Sequence, residues 1–145
     1  DLEAGFSAVD RAEAHLRNGS PEQVLGPAGA AACIARRPFL PGIEGFWVDS
    51  LRGKLHRQLL RALDCLSESQ RLGGEPMVAV ETETEAVKLD NLRERGYQFL
   101  MQAYSAAGNR AEALNVYHLC REILAAEVGT EPSQETQEIY QSLLE

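Results

Sequence analysis

The stretch "LMQAYSAAGNRAEALNVYHLCREIL" (Leu100–Leu124) decides the fold. Its apolar residues recur every three or four positions on both sides of Gly108, the spacing of two amphipathic helices joined by a tight turn. Upstream, "LSESQRLGGEPMVAVETETEAVKLDN" (Leu66–Asn91) carries the same register. Leu66 corresponds to Leu100, Gly74 to Gly108 and Ala79 to Ala113, each 34 residues apart. The glycine lets the chain turn between helices, and the alanine lets the second helix pack close against the first.

A period of 34 residues is that of the tetratricopeptide helix-turn-helix repeat. In the second copy Leu100, Tyr104, Gly108, Ala113 and Tyr117 fill its large, aromatic, glycine, alanine and aromatic positions, and Cys120 takes the later small one. In the first copy Gln70 and Glu83 stand where aromatics are usual, and Asn91 where a proline is usual. A looser third copy surrounds Gly19, with an insertion before Gly74 absorbed by a proline-rich loop and a lengthened third helix.

Helical spacing extends along the rest of the chain. Helices are expected over Leu2–Asn18, Pro21–Arg36, Phe46–Arg71, Glu75–Leu89, Leu92–Ala107, Arg110–Val128 and Ser133–Leu144. Leu2, Phe6, Val9 and Leu16 should form the buried face of the first. Ser20 should cap the second, with a break near Pro27. Phe39, Leu40, Ile43, Phe46 and Trp47 should tack the loop Pro38–Gly45 onto the body. In "VGTEP" (Val128–Pro132), the glycine stops one helix and Thr130 or Ser133 caps the next, whose Ile139, Tyr140, Leu143 and Leu144 should cap the repeat stack. The expected fold is all-α: antiparallel tetratricopeptide-like helix pairs in a right-handed superhelix of about seven helices.

The charge of −8, from 22 acidic and 14 basic residues, argues against this chain gripping DNA, whose phosphates repel it. No apolar run is long enough for a membrane span. Cys33, Cys65 and Cys120 lack metal spacing and read as small buried thiols in a reducing, cytoplasmic compartment. The chain opens "DLEAGF" without a methionine or a signal-peptide pattern, as expected of a single domain (residues 1–145) excised from a longer protein.

No catalytic, metal or cofactor site is expected. His15, His56 and His118 fall on different helices without a triad or ligand pattern, and no phosphate-binding loop is present. The glutamates of "ETETE" (Glu81–Glu85) read as a solvated face. Two candidate interaction surfaces remain. Arg52, Lys54, Arg57 and Arg61 form a basic cluster suited to docking an acidic partner. By repeat register Arg61, Asp64, Glu68 and Arg71, then Arg95, Gln98, Gln102 and Ser105, line the groove that such repeats use for peptides, unless the domain's own first or last helix fills it.

The segment "LDNLRERGYQFLMQAYSAAGNRAEALNVYHLCREILAAEVGTEPSQETQEIYQSLL" resembles the bacterial transcriptional activator domain of SARP-type regulators. The resemblance rests on "LRER", on "LMQAYSAAGNRAEAL" and on "EVGTEPSQE". It continues more weakly through "RRPFLPGIEGFWVDSLRGKL" to the first helix pair. Asn91 and "ACIARRP", which lacks the family's aromatic before the arginine, depart from the pattern. The resemblance implies a non-catalytic domain following a winged-helix DNA-binding domain. Its partners would be that domain, a dimer partner or RNA polymerase, with DNA reached only through the other domain. The rival reading is an adaptor or sensor module in a larger cyclase, kinase or ATPase.

Overall fold

A computed structural model describes residues 2–145. Among them lie α1 (Leu2–Arg17), a 3-10 turn (Pro21–Gln23), α2 (Leu25–Ala35), α3 (Phe46–Leu72), α4 (Pro76–Leu89), α5 (Glu94–Ala106), α6 (Arg110–Glu127) and α7 (Gln134–Leu144). The fold is all-α and built of helix pairs. It divides into two compact units, Asp1–Ser69 and Gln70–Glu145.

The 34-residue period is visible in the backbone. Gly74 (φ +84°) and Gly108 (φ +77°) both adopt the left-handed conformation that favours glycine. The Glu75 amide donates to the Gln70 carbonyl (2.8 Å) and the Gly74 amide to that of Arg71 (3.2 Å). In the second copy Asn109 donates to Tyr104 (2.9 Å) and Gly108 to Ser105 (3.0 Å). These are the two bonds of a Schellman stop, which satisfy carbonyls a helix end would leave orphaned. The third copy closes α1 in the same way: Ser20 donates to His15 (2.8 Å) and Gly19, at φ +74°, to Leu16 (3.2 Å). Five residues beyond each glycine stands a fully buried small side chain, Val24, Ala79 or Ala113.

In the unit of residues 70–145, Ala79 and Val80 of α4 pack with Tyr97, Leu100, Met101 and Ala103 of α5 and with Val116, Tyr117, Cys120 and Leu124 of α6. Ile139, Tyr140 and Leu143 of α7 pack against this core. Leu144 does not join them. It sits at the margin of the Thr136–Ile139–Leu143 stripe, on the helix's last residue, and is exposed. Glu83 is fully buried rather than part of a solvated acidic face, because it shares one side of α4 with Ala79, Val80 and Ala86.

In the unit of residues 1–69, the buried face of α1 is Gly5, Ala8, Val9 and Ala12. Leu2, Phe6 and Leu16 are only half-buried beside it. Small residues there, and Ala28, Ala31 and Ala32 on α2, let the helices approach closely. Cys33 lies about 100° around α2 from Ala32 and is exposed, whereas Cys65 and Cys120 are buried. The chain restarts after Gly19 as the 3-10 turn, with no side-chain cap from Ser20, and the break falls at Val24. Pro27 rides unbroken in the first turn of α2, where an amide has no intrahelical acceptor, so its missing N–H costs little.

The loop before α3 is held by a polar tie, not an apolar one. Arg52 donates from Nε to the Phe39 carbonyl (3.1 Å) and from Nη2 to that of Leu40 (2.5 Å). Phe39 is half-buried, but Leu40, Ile43, Phe46 and Trp47 face solvent.

Gly5 marks the tightest approach. A Cβ there would lie 2.6 Å from Nε2 of Gln58, which donates to the Ala31 carbonyl at 3.1 Å, and 3.2 Å from Ile34 Cγ2. Gly5→Ala is therefore expected to destabilise the chain by about 1–3 kcal/mol through overpacking. Gly26→Ala, whose Cβ meets nothing within 4 Å on α2, should be neutral or stabilising by up to ~1 kcal/mol. Denaturant midpoints of the two variants check the contrast.

Candidate protein-interaction surfaces

The residues that begin α5 govern one candidate surface. Arg93 stands just before the helix and places Nη1 4.0 Å from Oε1 of the buried Glu83. Gly96 makes room for that approach, since a Cβ there would lie 3.1 Å from Val87 and 3.6 Å from Glu83 Oε1. Glu94 points elsewhere. Its carboxylate accepts from the Ser133 amide (2.9 Å), the Ser133 hydroxyl (2.9 Å) and the Thr136 hydroxyl (2.6 Å). Ser133 in turn accepts from the Thr136 amide (3.4 Å) as the N-cap of α7. Burial raises the Glu94 carboxyl, but the hydrogen bonds from Thr136 and Ser133 outweigh it and hold the group below its ordinary value.

These contacts lay α7 along the face of α5 that carries the expected groove positions. Gln98 donates to the Thr136 hydroxyl (2.8 Å). Arg95 stacks over Phe99, 5.2 Å from the ring centre. Arg95, Gln98 and Gln102 border a small cleft of about 140 Å³ with Glu135 and Ile139. Arg71, Gln102 and Ser105 border another of about 290 Å³ with Ile139 and Leu143. The domain's own last helix thus shares the groove positions of this unit. Beyond it, Tyr140 stacks on Tyr117 at 3.9 Å.

In the other unit, Arg61 forks onto α1. Its Nε donates to Glu13 (3.1 Å), and its Nη2 pairs with Asp10 (2.8 Å) and with Glu13. The Glu13 bonds, opposed by burial and aided by Asp10, push the guanidinium still further towards the charged form. Asp64 is buried and Glu68 half-buried on the same helix. Arg52 holds the loop carbonyls and meets Asp49 at 3.4 Å. Lys54 and Arg57 remain on the exposed surface. The four residues of the basic cluster therefore split into two internal ties and two surface cations.

Sequence reasoning missed Glu83, Arg93, Glu94 and Thr136 as a connected set. The signal was present in "LRER" and "EVGTEPSQE", whose Arg93, Glu94 and Ser133 form these ties. It also missed the exposure of Phe46 and Trp47.

These features define a helix-pair repeat domain whose charged residues tie neighbouring helices together and whose exposed apolar residues are densest between Leu40 and Trp47. The chain belongs to the bacterial transcriptional activator domain family, which it matches over residues 1–144. It is 33% identical over 106 residues to "Regulatory protein AfsR" of Streptomyces coelicolor, an alignment covering 73% of this chain and 11% of that protein. The protein of the same name from Streptomyces griseus is 32% identical over 105 residues, 72% of this chain and again 11% of the relative. The chain thus spans about a ninth of the length of these curated relatives, and it is a transcription-activator domain of the SARP type.

The Glu94 clamp gives a pH signature. A carboxyl held below its unfolded value stabilises the fold above the ordinary glutamate pKa near ~4.3 and loses that contribution as pH falls through the folded value. The gap in thermal midpoint between wild type and Glu94→Gln should therefore narrow under acid. Ser133→Ala should cost about 1 kcal/mol as a lost N-cap, measurable by urea unfolding.

Proposed function

We propose that the domain is non-catalytic and works by protein contact, to the parent's DNA-binding domain, a dimer partner or RNA polymerase, in the cytoplasm. The observation that carries this reading is the exposed apolar group Leu40, Ile43, Phe46 and Trp47, with Lys54 and Arg57 on the same helix as the last two. Aromatic anchors rimmed by charge are the composition of protein-binding hot spots. Buried reactive groups support the non-catalytic part: burial pushes the Cys120 thiol and the Tyr97 phenol each up to about 12, so both stay protonated at neutral pH. DNA is reached through the parent's other domain, since residues 70–145 carry 13 acidic against 6 basic side chains.

The test compares the full parent with the parent lacking residues 1–145 in transcription and gel-shift assays. Loss of promoter activation with DNA binding retained is expected. Equal activation by the shortened protein contradicts the reading.

A further inference from the structure

Two exposed helix faces of this chain are chemically complementary. On α3, Phe46, Ser50, Lys54 and Arg57 follow one another at i, i+4, i+8 and i+11 and share an exposed stripe. Phe46 is 91% exposed and its neighbour Trp47 59%. A cleft of about 490 Å³, walled by Phe39, Pro41, Leu55 and Leu59, opens in the same unit with Arg37 and His56 among its lining. Residues 34–61 hold six Lys and Arg against two acidic residues, within a chain whose balance is −8. An apolar centre in a basic rim suits an acidic helix with an aliphatic anchor.

The chain carries such a helix. Gln134, Gln137, Glu138, Gln141, Leu144 and Glu145 line the outer face of α7, all exposed. Leu144 is its apolar centre, and Glu138 and Glu145 flank it. From Glu122 to Glu145 there are six Glu and no Lys or Arg. We propose that the α3 stripe of one copy docks on the outer face of α7 of a second copy, with Leu144 seated among Phe46, Trp47 and the adjoining cleft. Lys54 and Arg57 then face Glu138 and Glu145. The contact is heterologous, joining different surfaces of the two copies. It deepens the protein-contact reading by naming the partner, and it rests on that reading.

Trp47 is the chain's single tryptophan and reports directly on the stripe. Sedimentation of the 145-residue chain at concentrations up to about 500 µM should show the mass rising above 15.9 kDa, with Trp47 emission moving to the blue. Phe46→Ser, at a solvated site, should keep the circular dichroism and thermal midpoint but lose association. A charge swap tests the pairing. Lys54→Glu/Arg57→Glu and Glu138→Lys/Glu145→Lys should each stay monomeric alone and associate when mixed, because each then offers the charge the other lacks. A chain that remains at 15.9 kDa with unmoved emission overturns the proposal, as do folded swap variants that ignore each other. A blue shift only on adding duplex DNA or anionic vesicles assigns the stripe to that occupant and overturns it too. The promoter assay reads the broader protein-contact function separately, so the two can fail independently.

Discussion

Two adjacent residues, Arg93 and Glu94, hold the unit of residues 70–145 together. Near the start of α5 they diverge to different neighbours. Arg93 reaches back to Glu83 of α4, and Glu94 reaches forward to the first turn of α7. A buried carboxylate is costly unless it is paired, so α4 can bury Glu83 only where a guanidinium can meet it. The first amides of α7 have no intrahelical partners, so a carboxylate set against them gains both hydrogen bonds and the helix field. The two ties explain why α5 can be the central helix of the core, with its partners held at both sides of its N-terminus.

The repeat shows how one register position does the same work with different chemistry. Glu83 and Tyr117 stand 34 residues apart on the second helices of the two copies. Each reaches the element that follows it. Glu83 does so through Arg93, and Tyr117 by stacking on Tyr140 of α7. Ring stacking contributes about 0.5–1.5 kcal/mol beyond burial, whereas a buried ion pair adds little net stability but is destructive to break. The substitution of a carboxylate for the usual aromatic thus alters how this joint responds to mutation more than how strong it is.

Much of this was readable in advance, for definite reasons. A glycine that must take positive φ and a small residue that must fit between helices leave few alternatives, so Gly74, Gly108, Ala79 and Ala113 revealed the period and the helix ends within a residue or two. Glu83 was misread because an alternating run of glutamates and threonines looks solvated. Its partner Arg93 and the space left by Gly96 come ten and thirteen residues later. The basic cluster looked like one surface because the carboxylates that engage Arg61 lie on α1, 48 and 51 residues away. The apolar loop was expected to pack inward, since no local feature shows that Arg52 already holds its carbonyls. The groove was visible as a register, but its sharing with α7 depends on Glu94, Ser133 and Thr136 meeting in space.

The most direct test of the central tie is amide hydrogen exchange on the intact chain and on Arg93→Met. Removing one member of a buried pair should cost about 3 kcal/mol or more. The account predicts that amides of α4 from Val80 to Val87 and those of the first turns of α5 lose protection, while α1 and α2 keep theirs. Unchanged protection across α4 in the folded variant would contradict it.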